Sequence, residues 1–109
     1  MPIPSNVTSH HLQLGIRDTI NDFINDVPFN EESTRWCLVG TDRGIEWHLP
    51  PKAVIRRANA HANGELLWNF SGGPETNDYC THLGFTIMDH GHAPHTVGTP
   101  PVGNRKTAR

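Results

Sequence analysis

Between Leu49 and Ile87, proline and glycine recur as punctuation. Pro50-Pro51-Lys52-Ala53-Val54-Ile55 opens a helix-like run that closes at Asn63-Gly64. Phe70-Ser71-Gly72-Gly73-Pro74 then turns the chain into a second run, which closes at Leu83-Gly84-Phe85. Proline at the first helical position loses no bond, because the N–H it lacks has no partner there, and its fixed φ suits the helix. Glycine just past the last turn takes the left-handed conformation that side chains disfavour. The pattern predicts two short helices joined by a glycine-rich corner, with Phe85 packing back on the last turn of the second. It constrains a framework and specifies no chemistry.

Upstream, Leu12, Ile16, Ile20, Phe23, Ile24 and Val27 recur at three- and four-residue spacing. This predicts a helix over Ser9 to Val27 with one buried stripe, leaving Arg17, Asp18, Asp22 and Asp26 on the other side. Gly15 weakens that helix by about 1 kcal/mol relative to alanine. Thr34 to Val39 and Ile45 to Leu49, separated by turn chemistry at Gly40 to Gly44, predict a β-hairpin. Trp36, Leu38, Ile45, Trp47 and Leu49 would face the helix, since alternate residues share a face. Thr86-Ile87-Met88 predicts a third short strand added to the hairpin. The expected fold is therefore α+β: an N-terminal helix, a hairpin, two short helices and a third strand over residues 10–88. An arm over 1–9 precedes it. A His/Pro-rich, basic-ended arm over 89–109 follows, where Pro94, Gly98, Pro100, Pro101 and Gly103 interrupt any regular element.

Apolar residues make up 35 % of the 109, so the core is small. No run of about 18 apolar residues is present, as a spanning helix would need. Met1 to Asn6 lacks the basic and apolar regions of a secretion signal. The expected compartment is the cytoplasm. Cys37 and Cys80 follow no metal or redox spacing and are expected to be reduced and buried, with a disulfide between them as the alternative.

Net charge is −2, with the charges unevenly spread. Acids gather at Asp18, Asp22, Asp26, Glu31 and Glu32, whereas no acid lies between Leu49 and Gly64, where Lys52, Arg56 and Arg57 stand. Lys52 and Arg56 are four apart and share a helix face, Arg57 is adjacent, and Arg35 and Arg43 would extend the patch from the hairpin. Such a face can neutralise phosphates; equally, it can be an ordinary solvated surface. The corner at Gly72 and Gly73 leads into a helix N-terminus, where free N–H groups can hold an anion, or simply permits a tight bend. Asn77 can read a base edge or tether the loop.

Cys80, His82, Asp89, His90, His92 and His95 are suitable ligand types for zinc or another transition metal, and His90 and His92 can project to one side of an extended segment. A polar His-rich tail explains the same residues without metal, and no cofactor is expected. No nucleophile, base and orienting group can be named from spacing, and Ser71 lacks the surroundings of a nucleophile elbow.

Arg35-Trp36 with Leu38-Val39, Pro51-Lys52-Ala53-Val54-Ile55, Ala58, Gly64, Leu66, Phe70-Ser71-Gly72-Gly73, Thr76-Asn77 and Leu83-Gly84-Phe85 together form a recognisable signature. It resembles the N-terminal head domain of ScoMcrA-like HNH endonucleases, which are modification-dependent restriction enzymes. The resemblance covers roughly residues 10 to 88. It implies an α+β module associated with DNA, joined in that family to DNA-reading domains and to an HNH nuclease. Asp89-His90 is similar to the start of an HNH site, but no histidine follows His95, so catalysis is not implied. The expected function is a non-catalytic module that binds DNA or docks to a DNA-processing enzyme such as a nuclease. The alternatives are a phage or mobile-element adaptor or inhibitor acting on a host defence protein and, below it, a metal-dependent enzyme using the C-terminal histidines. No membrane partner is expected.

Overall fold

A computed structural model describes residues 3–25, 36–42, 44–68, 70 and 74–89. The helix predicted from the periodic stripe is α1, Ser9–Ile24. Thr8 caps it: the His11 backbone N–H reaches Thr8 Oγ1 at 3.4 Å, and the Thr8 N–H donates to His11 Nδ1 at 3.1 Å. The reciprocal pair satisfies two amide groups that the helix leaves open. Leu12, Ile16 and Ile20 are buried, and Phe23 is half-buried and sets its ring edge-on to Trp47 at 5.8 Å. The stripe stops there. Ile24, expected inside, is 56 % exposed, and Asn25 closes the last turn through its N–H to the Asn21 carbonyl. Val27 lies outside the described residues.

The hairpin forms as β1, Trp36–Asp42, and β2, Ile45–Leu49; β3, Thr86–Asp89, joins the other side of β1. The sheet is antiparallel in the order β2-β1-β3. Leu38 stands opposite Leu49 on one side and Ile87 on the other, and Gly40 opposite Trp47. A Cβ on Gly40 would lie 2.7 Å from Ile16 Cγ2, so this face of β1 runs directly under α1. Strict alternation of burial fails next to it: Cys37 and His48 are buried as well as Leu38 and Leu49, so this end of the sheet is covered on both faces.

The predicted punctuation is realised in the next two helices. α2 is Pro51–Asn63, with Pro51 in its first turn and Gly64 at φ 82°, its N–H bonded to the Ala60 carbonyl. α3 is Pro74–His82. Beyond it the Phe85 N–H reaches the Cys80 carbonyl and the Gly84 N–H the Thr81 carbonyl, both at 3.0 Å, with Gly84 at φ 94°. That pair of bonds is the Schellman closure, and Phe85 packs against the core beside it.

Two further expectations change. Residues 3–8 are not an arm: Ile3 and Val7 are buried in the core, and Tyr79 of α3 shares its hydroxyl proton between the Pro4 and Val7 carbonyls at 2.8 and 2.7 Å. Asn6 and Asn63 also exchange amide hydrogen bonds at 2.6 and 3.1 Å. Gly15, expected as a weak point, is instead where α1 and α2 touch. A Cβ there would meet the Val54 carbonyl oxygen at 2.6 Å and the Ala58 nitrogen at 2.9 Å. The missing side chain is what lets the two backbones approach. The arm expected from residue 90 onward lies outside the described residues, and β3 extends to Asp89. Among the described residues no helix is long and apolar enough to cross a membrane.

Candidate functional site: cations and aromatics beside the second helix

The three cations of α2 do not form the single open face that their spacing predicts. Arg57 lies toward α1. Its Nε donates to Asp22 Oδ2 at 2.8 Å and its Nη1 to the Ala53 carbonyl at 3.0 Å, and only 12 % of its side chain is exposed. One turn on, His61 Nε2 lies 2.6 Å from Asp18 Oδ2. Asp18 and Asp22 were expected on the solvent side of α1. They lie on the α2 side because Gly15, Asp18 and Asp22 are spaced three and four residues apart, which makes one row on the helix. Two groups on α2, also four apart, meet that row from the antiparallel direction.

Arg56 points elsewhere. It is 5 % exposed, and its Nε donates to the Leu67 carbonyl at 2.7 Å. Leu67 in turn gives its backbone N–H to the Arg56 carbonyl at 3.3 Å. The guanidinium carbon sits 4.3 Å from the centre of the Trp68 ring and 5.7 Å from that of Phe70. Burial, with the neighbouring Arg57 adding to it, holds Arg56 below the usual arginine range, yet a guanidinium stays charged at physiological pH. Lys52, one turn earlier, brings Nζ to 5.2 Å from the Phe70 centroid. Two cations thus approach one buried ring, and contacts of this kind contribute about 0.5–2 kcal/mol each. Asn59 completes the attachment by donating to the Glu65 carbonyl at 2.9 Å and accepting from Asn63 at 2.6 Å.

Residues 65–68 and Phe70 are therefore strapped along α2, and the strap leaves a large indole outside. Trp68 is 55 % exposed and Leu66 42 %. Trp68 was absent from the sequence-based candidates because it lies in no periodic pattern. Its position four residues past the helix-closing Gly64, at the return toward α2, is the only cue the sequence offers.

Of the other candidates, Asn77 is half-buried on α3 next to the fully buried Thr76. Arg35, Arg43, Gly72 and Gly73 lie outside the described residues, so the proposed extension of the patch and the anion corner do too. Among the proposed metal ligands, Cys80 and His82 diverge: Cys80 is buried and His82, two residues on, is exposed. Burial pushes the Cys80 thiol up to about 12, which removes the thiolate character a ligand or nucleophile needs. Cys37 and Cys80 are both buried thiols and are not joined in a disulfide. His90, His92 and His95 lie outside the described residues, and among those described no three His, Cys, Asp or Glu side chains gather as a metal site. Comparison with protein-family models, with curated proteins and with solved structures gives no match.

Proposed function

We propose that this domain is a DNA-associated module without chemistry of its own, and that its contact surface is the Lys52, Arg56 and Trp68 cluster. The observation that carries the proposal is the open indole of Trp68 lying on a buried, charged guanidinium, with Lys52 on the adjoining turn. A lysine at such an edge can neutralise phosphate, and an exposed aromatic face offers contact to a base or sugar. The resemblance to the head domain of modification-dependent restriction endonucleases points to the same partner, and to a role in restriction or another defence system. The net charge of −2 does not oppose this, because the local field rather than the total decides what a surface attracts, and Asp22 and Asp18 of α1 lie against Arg57 and His61.

The test is a mobility shift of the full chain on several DNA types at low salt. Retardation that weakens as salt rises, and weakens further in Lys52→Glu, supports the reading. Absence of retardation on every DNA at low salt refutes it. A second reading, a protein-docking factor such as an adaptor or inhibitor of a defence enzyme, rests on Leu66 and Trp68 being apolar and exposed on one segment. It takes over if no DNA binds and Leu66→Asp abolishes capture of a host protein.

A further inference from the structure

Resting on that reading, we infer that the Trp68 indole is a stacking platform for an unpaired base, so that the form of DNA this surface recognises is single-stranded. In a duplex the faces of each base are covered by its neighbours along the stack. An indole can lie flat on a base only where that stacking is interrupted, as it is along a single strand. Three features of the cluster suit Trp68 to this use. Trp68 is exposed, although burying an indole is ordinarily favourable. Its inner side rests on Arg56 at 4.3 Å, and Arg56 is fixed by the Leu67 carbonyl at 2.7 Å and by the ring of Phe70. The platform is thus held in orientation before any ligand arrives, which lowers the ordering cost of binding. Lys52 stands against the same Phe70 ring, so a phosphate of the strand whose base lies on Trp68 has a cation within reach.

Arg56 is a positioning residue: buried, it acts on a base through the indole. Duplex DNA, by contrast, would use Lys52 and other cations through its phosphates and leave Trp68 without a base face to cover.

The experiment is fluorescence anisotropy with labelled oligothymidylate and a labelled duplex of equal length, using the full chain at low salt. The expected result is tighter binding of the single strand. Trp68→Ala should weaken single-strand binding about 5- to 150-fold, the range of one base–aromatic stack, and change duplex binding less than twofold. Trp68→Phe should recover most of the loss. Arg56→Met should weaken the single strand more than the duplex, which a general loss of structure would not do. Circular dichroism of each variant checks the fold. Equal affinity for both forms, with Trp68→Ala without effect on either, overturns the stacking inference while leaving the DNA reading standing. Binding of neither form overturns both.

Discussion

Arg56 and Arg57 are neighbours in sequence and do opposite jobs. They leave α2 about 100° apart. Arg57 turns toward α1, finds Asp22 and closes the seam made by Gly15 and Ala58. Arg56 turns toward Leu67, Trp68 and Phe70 and meets a carbonyl and two aromatic faces. The first contact matches charge with charge across two helices. The second buries a guanidinium under an indole that remains in solvent. Cations adjacent in sequence therefore need not add to one patch. On a helix packed on several sides each takes the partners of its own direction, and the surface with binding potential is the one where an indole stays in solvent.

The seam is the part whose failure should do most damage. Gly15→Ala improves intrinsic helix propensity by about 1 kcal/mol yet sets a Cβ against the backbone of α2. Overpacking against backbone, about 3 kcal/mol, should prevail and leave a net destabilisation of about 2 kcal/mol in urea unfolding. A stabilised Gly15→Ala would mean the helices do not touch there. On the strap side, Arg56→Met should cost about 2 kcal/mol, because it removes a charged hydrogen bond and the support of Trp68. Urea unfolding of the variant measures that loss, and an unchanged midpoint would mean that the contacts with Leu67 and Trp68 carry no stability.

A pH titration separates the buried core from both regions. The Cys80 thiol has its proton held more tightly in the folded state than in the unfolded chain, because burial disfavours the thiolate. Its stabilisation is complete below the unfolded value of about 8.5 and is lost as pH rises toward the folded value of about 12. Tyr79, also raised by burial, acts with the same sign at higher pH. Stability should fall by about 1 kcal/mol between roughly pH 8 and pH 9.5, and Cys80→Ala should flatten that fall. The smallest effect belongs to the Arg57–Asp22 ion pair, whose carboxylate keeps contact with solvent. Asp22→Asn should cost about 0.5–1 kcal/mol, shrinking in high salt.

Much of the fold is legible in the sequence because local chemistry decides it. Pro51 and Pro74 start helices, Gly64 and Gly84 end them with positive φ, and the stripe of Leu12, Ile16 and Ile20 marks the core face. What was not legible depends on partners distant in the chain. Gly15 reads as a weak helix position until Val54 and Ala58 are set against it. Asp18 and Asp22 read as a solvent face until Arg57 and His61 approach. Lys52, Arg56 and Arg57 read as one cationic surface until the return of the chain at residues 65–68 buries one of them under Trp68. The matching four-residue spacings of Asp18 and Asp22 with His61 and Arg57 carry the pairing in principle. Only the packing of α1 against α2 selects it.

The division of labour between the two arginines is tested most directly by measuring DNA affinity at low salt for Lys52→Glu and Arg57→Gln side by side, with the fold of each verified by circular dichroism. Lys52→Glu should weaken binding strongly. Arg57→Gln, which removes a cation already matched to Asp22, should leave binding within about twofold of the parent protein, since neutralised charges release few counterions. If Arg57→Gln abolishes binding while Lys52→Glu does not, the contact surface lies on the α1 side of the helix and the account given of Arg56 and Trp68 is wrong.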